Sequence, residues 1–136
     1  MEVSKQTFEA SVDVLYDVLG FAESKLEEYG ASMKDTNIIS IALEEMFVNV
    51  ASYAYTDGKG TADISIWFDE GMFYIRLEDS GFEFNPLAKI DPDIHAQAED
   101  RGIGGLGIYM VKKSMDNCTY ERKDDKNIFT MGKKIK

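Results

Sequence analysis

The chain has 136 residues, 44% of them hydrophobic, which suits a single domain over residues 1–136 with an apolar core. The formal net charge of −10 argues against general electrostatic binding to nucleic acid or anionic lipid, and the single cysteine excludes an intrachain disulfide. No apolar run approaches the roughly 20 residues of a membrane span, and the first residues lack the features of a secretory leader. We therefore expect a cytoplasmic protein with neither a nucleic-acid nor a membrane partner.

Two amphipathic helices are predicted in the first half of the chain. Apolar residues recur at intervals of three and four over residues 12–29, and Gly30 is a typical residue to end a helix. A second apolar stripe predicts a helix over residues 34–53, which the polar, glycine-containing turn 56–60 ends. A short strand over residues 3–8 is predicted to precede both helices.

A change of period to two predicts the sheet. Residues 61–68 alternate between apolar and polar, and a turn leads to a partner strand that ends at Asp79. The pattern then stops until the glycine cluster that begins at residue 102, and a loop of this length is typical of a functional lid. A short helix to about residue 115 and two strands, 117–122 and 128–135, complete the prediction. These elements indicate an α+β fold: a two-layer α/β sandwich whose largely antiparallel mixed sheet is covered by helices on one face.

The first candidate site is the pair Glu45 and Asn49 on the second helix. At positions i and i+4 the two side chains share one helix face beside the apolar stripe, where a carboxylate needs a compensating partner. A carboxylate next to a carboxamide can hold a water or ion associated with Mg²⁺, whose ligands are oxygens. A solvated helix face is the alternative that this pair alone leaves open.

The second candidate is Asp79, with Gly81 behind it. The alternation of Phe73, Ile75 and Leu77 places Asp79 on the same inward face, where its carboxylate needs a hydrogen-bond donor. An adenine amino group is one such donor, and Gly81 would allow close approach of the backbone. The alternative is a strand that simply ends in a turn of Asp and Gly.

The third candidate is a glycine cluster preceded by Arg101. Backbone N–H groups that lead into a helix form an anion cradle, and an arginine adds a charge-assisted contact to phosphate. The glycines are Gly102, Gly104, Gly105 and Gly107. Three of them also fit a dinucleotide fingerprint, but no predicted strand precedes them directly, as that motif requires. The chain also lacks the other motifs of a protein kinase and the lysine of a P-loop.

In this order, the three candidates resemble the motifs of one superfamily. The segment 42–49 looks like an N box, 79–81 like the start of a G1 box, and 101–108 like a G2 box with its arginine. Together they resemble the histidine-kinase-like (Bergerat) ATPases, which include gyrase and the sensor kinases. The short chain and the stretch 82–86 look most like the anti-sigma regulatory serine/threonine kinases of partner-switching systems.

The resemblance implies a role for each matched residue. Glu45 would be the general base, Asn49 would hold Mg²⁺, Asp79 would bind the adenine of ATP or ADP, and Gly81 would shape the adenine pocket. Arg101 and the glycines from 102 to 107 would close on the phosphates. Relatives also use a threonine near the final strand, for which Thr130 is the nearest candidate and Asn127 the substitute. Glu83 and Tyr53 depart from the family pattern.

The resemblance also implies partners. The substrate would be a serine or threonine on an antagonist protein of the STAS type, which competes with a sigma factor or similar target for this chain. A homodimer is a further expectation, through the first helix or the open sheet. The rival hypothesis is a binding module that sequesters a partner in response to ATP or ADP without phosphorylating it. A sensor histidine kinase is disfavoured because no helical hairpin carries an acceptor histidine, and His95 is assigned no role.

Overall fold

The computed structural model describes residues 2–56, 59–88 and 105–136, with residues 105 and 106 described through their backbone. Three α-helices lie in these ranges: α1 (Leu15–Glu28), α2 (Met33–Tyr53) and α3 (Gly105–Ser114). Five strands accompany them: β1 (Ser4–Glu9), β2 (Thr61–Asp69), β3 (Met72–Asp79), β4 (Asn117–Lys123) and β5 (Lys126–Lys134). Short 3₁₀ turns precede α1 at Val12–Val14 and follow β3 at Pro86–Ala88. None of the helices in these ranges is long and apolar enough to cross a membrane.

Local sequence explains where the first two helices begin and end. Gly30 follows α1 with a φ of 76°, a conformation that glycine adopts without steric cost. Ser32 then caps α2, because its side-chain oxygen accepts a hydrogen bond from the Asp35 backbone N–H at 3.1 Å. This cap places the start of α2 at Met33, one residue before the predicted start.

The five strands form one sheet in the order β1-β2-β3-β5-β4, and all four pairings are antiparallel. The last hairpin is tighter than the sequence predicted. Asp124 and Asp125 both have positive φ, 54° and 62°, and form a two-residue turn, so the flanking strands extend to Lys123 and from Lys126. Aspartate tolerates this left-handed conformation better than most residues with a side chain, which explains the pair.

The sheet has one covered face and one open face, which confirms the predicted two-layer α+β sandwich. On the covered face, Phe73, Ile75 and Leu77 of β3 are buried and belong to a core shared with α1, α2 and α3. On the open face, Trp67 stacks on Tyr74 with ring centroids 5.2 Å apart. Side chains alternate between the two faces along each strand, so every strand residue is assigned to one of them.

Candidate functional site

A cavity of about 200 Å³ opens between α2, the ends of β3 and β5, and the segment that follows β3. Much of its wall is apolar and is formed by Met46, Val50, Leu77, Phe84, Pro86 and Phe129. Its polar lining includes Asn49, Asp79, Tyr120 and Asn127. An apolar slot with a few convergent polar groups is the usual composition of a small-molecule site.

Asp79 is the buried carboxylate of this cavity, with 6% of its surface exposed. One oxygen, Oδ1, accepts hydrogen bonds of 2.9 Å from the Gly81 backbone N–H and from Nδ2 of Asn127. The described part of the chain provides no hydrogen bond to the other oxygen, Oδ2. No buried side-chain oxygen of the described residues lacks a hydrogen-bond partner, so Oδ2 is accessible from the cavity and can accept a hydrogen bond from a ligand there.

Asn127 lies directly across from Asp79 in the register of β3 and β5. Its Nδ2 group also donates to the Phe82 carbonyl at 2.6 Å, and its Oδ1 accepts from the Tyr120 hydroxyl at 2.6 Å and the Phe84 N–H at 3.1 Å. Both hydrogens of the amide and its oxygen are therefore engaged by the protein. The side chain is 7% exposed, so this network is a fixed part of the cavity.

Tyr120 lies on β4, next to β5, and its hydroxyl is one of the two donors to the amide oxygen of Asn127. Burial raises the pKa of this phenol, and the nearby Glu83 carboxylate raises it further, while Arg122 and the Phe84 backbone act in the opposite direction. The hydroxyl therefore stays protonated at neutral pH and remains a donor. Sequence reasoning missed Tyr120, because neither a motif nor local spacing connects it with Asp79.

Gly81 connects the turn after β3 with the end of α2. A Cβ atom at this position would overlap the backbone carbonyl of Ala54, and the next residue, Phe82, donates its N–H to that same carbonyl at 2.9 Å. The Gly81 carbonyl in turn accepts from Nη1 of Arg122 at 2.9 Å. Close approach of two backbones thus explains the glycine, and it fixes the turn that carries the N–H donor to Asp79.

Glu45 and Asn49 lie on one face of α2, as predicted, and both are half-buried. Asn49 lines the cavity and donates from Nδ2 to the Glu45 backbone carbonyl at 2.8 Å, which leaves its amide oxygen for other contacts. The Glu45 carboxylate lies against Gly107 in the first turn of α3, where a Cβ atom would overlap it. No described residue donates a hydrogen bond to that carboxylate. The start of a helix favours a negative charge, which suits this position.

The predicted phosphate-binding residues are only partly described. Gly105 and Gly107 lie at the start of α3, and Gly107 lies against Glu45. Arg101, Gly102 and Gly104 lie outside the described residues, as do His95 and most of the predicted lid. Their roles remain predictions.

Thr130 does not lie at the cavity, which corrects the prediction from the sequence. It pairs with Arg76 on the open face of the sheet, and its Oγ1 accepts a hydrogen bond from Nε of Arg76 at 3.1 Å. Since residues alternate between faces, Asn127, Phe129 and Met131 point into the covered layer and Thr130 points away from the cavity. Asn127, which the sequence offered only as the substitute, is the residue of the final strand that lies at the site.

The residues present fit an adenine nucleotide and a magnesium ion. The apolar slot matches a flat heteroaromatic ring, and Oδ2 of Asp79 matches a ring amino group. The described residues contain no cluster of three or more acidic, histidine or cysteine side chains that could hold a metal alone. One amide oxygen, from Asn49, suits Mg²⁺, which keeps several waters and binds phosphate oxygens in nucleotide sites.

Comparison with known proteins gives one family. The sequence model of the histidine kinase-like ATPase domain matches residues 8–133. The serine-protein kinase RsbW of Bacillus cereus (strain B4264) is 32% identical over 92 residues, which are 65% of this chain and 58% of that protein. RsbW of Bacillus anthracis shows the same identity and coverage. The matched region thus spans little more than half the length of these relatives.

Two solved structures share the fold. The RsbU and RsbW domains of Rv1364c from Mycobacterium tuberculosis superpose with a TM-score of 0.68 and 17% identity, over 99% of this chain and 33% of that one. Acinetobacter baumannii histidine kinase AdeS superposes with a TM-score of 0.51 and 17% identity, over 99% of this chain and 69% of that one. At these identities the likeness concerns the architecture of the domain.

Proposed function

Because the chain belongs to the histidine kinase-like ATPase domain family, we propose that it binds ATP in the cavity beside Asp79 and transfers the terminal phosphate to a serine or threonine of a partner protein. The observation that carries the proposal is the buried carboxylate of Asp79, which uses one oxygen within the protein and leaves the other at the end of an apolar slot. Such an oxygen accepts a hydrogen bond from the adenine amino group, while the ring packs between apolar walls.

Asn49 and the start of α3 would hold the phosphates of the nucleotide. Asn49 lies on the cavity wall one helical turn after Glu45, which supports the proposal that its amide oxygen holds a magnesium ion. The ion, when bound, neutralises phosphate charge. Gly105 and Gly107 add backbone N–H groups of the α3 N-terminus, and Arg101, Gly102 and Gly104 are proposed to complete the phosphate contacts.

Glu45 is the proposed general base. The hydroxyl oxygen of the partner's serine or threonine attacks the terminal phosphorus, the bond to the bridging oxygen of ADP breaks, and the hydroxyl proton passes to the Glu45 carboxylate. None of the described residues donates a hydrogen bond to this carboxylate, which supports its role as the proton acceptor. The remaining requirement, in-line positioning of the two reactants, is met by the nucleotide site and the partner surface together.

The proposed partner follows from the relatives named serine-protein kinase RsbW. We propose a cytoplasmic partner-switching role, in which a STAS-type antagonist is the phosphorylated substrate. A sigma factor or a similar regulator is the competing target. A homodimer through α1 or the open sheet face belongs to the same proposal.

One observation favours the second candidate function, an ATP- or ADP-dependent binding module without phosphotransfer. Asp79 and Asn127 line the cavity, whereas the Glu45 carboxylate lies against Gly107 and Glu45 is not among the residues that line it. A protein with this geometry could sense which nucleotide is bound without reacting with it.

Calorimetric titration and mass spectrometry together test the proposal. ATP and ADP are titrated into the purified chain with and without Mg²⁺, and we expect both to bind, with ATP more dependent on the metal. The chain is then incubated with ATP, Mg²⁺ and a STAS-domain protein encoded by the same organism, and the intact mass of that protein is measured. A gain of one phosphate supports the kinase, binding with no mass change supports the module, and failure of both nucleotides to bind would overturn both candidates.

A further inference from the structure

Tyr120 and Asn127 form a chain of hydrogen bonds that ends on the carboxylate of Asp79. We propose that Tyr120 is a positioning residue for nucleotide specificity: through Asn127 it holds the Asp79 carboxylate with one oxygen turned to the purine ring, and so selects adenine. This inference rests on the proposed ATP site and concerns the two residues that read the base indirectly.

The orientation of the Asn127 amide decides whether it donates a hydrogen bond to Asp79. A carboxamide can flip by exchanging its oxygen and nitrogen, and only one orientation presents a donor to Asp79. The amide oxygen accepts hydrogen bonds from the Tyr120 hydroxyl at 2.6 Å and from the Phe84 backbone N–H at 3.1 Å, and because an N–H can only donate, the NH₂ group lies on the other side. There it donates to Asp79 Oδ1 at 2.9 Å and to the Phe82 carbonyl at 2.6 Å. In the flipped orientation, an oxygen would face both of these acceptors.

The two oxygens of the Asp79 carboxylate have different partners. Oδ1 is occupied by Asn127 and the Gly81 N–H, so the carboxylate cannot rotate without losing two hydrogen bonds. Oδ2 therefore remains an acceptor aimed at a ligand. An acceptor at this position matches the amino group of adenine and opposes the carbonyl oxygen that guanine carries at the corresponding ring position.

The protonation state of Tyr120 decides whether its hydroxyl donates to Asn127. The phenol must donate for the chain to work, and a phenolate could only accept. Burial and the adjacent Glu83 carboxylate raise the pKa of Tyr120, so the donor persists throughout the neutral range. The hydroxyl therefore remains a donor to the amide oxygen at neutral pH and, together with the Phe84 N–H, stabilises this orientation.

The test compares two nucleotides that differ only in the amino group. ATP and purine riboside triphosphate, which lacks that group, are titrated calorimetrically into the wild-type chain and into Tyr120→Phe. We expect the wild type to prefer ATP by roughly 10-fold or more, the range for a hydrogen bond to a charged group. In Tyr120→Phe we expect this preference to fall by roughly 3- to 10-fold, because one neutral hydrogen bond that holds the amide is lost.

Two further variants make the test specific. Tyr74→Phe is the matched control, since it makes the same change on the open face of the sheet, and its preference should equal that of the wild type. Asn127→Asp replaces the donor amide by an acceptor of the same size and should abolish the preference, and it tests the chain independently if Tyr120→Phe folds poorly. Thermal unfolding of each variant monitors the fold.

The outcomes separate this inference from the proposed function. A preference for ATP that Tyr120→Phe leaves unchanged would overturn the positioning role while leaving the nucleotide site intact. An equal loss of affinity for both nucleotides in Tyr120→Phe would mean that Tyr120 supports the general shape of the cavity. This result would also overturn the positioning role. If the wild type binds neither nucleotide, the proposed function itself fails.

Discussion

Asp79 is buried and Glu45 is half-buried near the same cavity, and the protein holds their carboxylates in opposite ways. Asp79 is locked, because one of its oxygens accepts two hydrogen bonds from within the protein. Glu45 receives none from the described residues and touches a glycine of α3. A carboxylate that must read a fixed ring benefits from rigidity, whereas one that must accept a proton from an arriving hydroxyl has to keep its lone pairs unused. The contrast is what a division between binding and chemistry would require.

The largest expected effect comes from Glu45→Ala. Loss of a general base typically lowers a rate by about 10²- to 10⁴-fold, and ATP affinity should change little because Glu45 does not line the cavity. Intact-mass measurement of the phosphorylated partner gives the rate, and calorimetry gives the affinity. Glu44→Ala, at the neighbouring half-buried position on α2, is the matched control. Phosphotransfer at the wild-type rate in Glu45→Ala would break the comparison.

Asp79→Asn should act on binding instead. Asn127 and Gly81 both donate to the oxygen of residue 79, so the new amide would turn its NH₂ group toward the ligand, donor against donor. We expect ATP affinity to fall by about 100-fold, the upper part of the range for losing a hydrogen bond to a charged group. Calorimetric titration measures it, with Asp63→Asn on the open face as control. ATP binding of wild-type strength would show that Asp79 does not contact the base.

Two glycine variants sharpen the comparison, because each glycine lies against one end of the site. Gly81→Ala sets a methyl group against the rigid Ala54 carbonyl and should destabilise the fold by about 1–3 kcal/mol, as overpacking does. Gly107→Ala sets it against the flexible end of Glu45, so the carboxylate moves and the helix gains from alanine. The unfolding temperature should therefore fall only in Gly81→Ala. The rate of phosphotransfer should fall about 10-fold in Gly107→Ala, a fraction of the general-base contribution. The reverse ranking of the two unfolding temperatures would contradict this account.

The smallest expected effect is a pH dependence of stability that comes from Tyr120, which lies at the Asp79 end of the site. The pKa of Tyr120 is raised in the folded protein above its ordinary value of 10.0, so the stability contributed by the protonated phenol is fully present below pH 10 and is lost as pH rises through the raised pKa. Wild type should therefore be more stable than Tyr120→Phe at neutral pH, and the difference should shrink above pH 10. Denaturant unfolding across this range measures it. A difference that is constant with pH would mean that the pKa of Tyr120 is not raised in the folded protein.

Much of the fold follows from local pattern. The stripes of α1 and α2, the hairpin of β2 and β3, and the inward position of Asp79 were predicted correctly, because each depends on the period of a helix or strand. The placement of Glu45 and Asn49 on one face of α2 has the same origin. The threonine candidate was wrong because Thr130 was chosen by distance along the chain, whereas the face of a strand residue depends on its parity relative to the core.

The sequence by itself determined the periodic elements, the shared helix face of Glu45 and Asn49, and the order of the motifs that place the chain in its family. Only the tertiary structure decided that Asn127 faces Asp79 across two strands, that Tyr120 holds Asn127 from a third, and that Glu45 meets Gly107. The physical reason is the range of the interactions. Helix and strand periods are set by backbone geometry within a few residues, whereas strand register and helix contacts are set by the packing of one shared core.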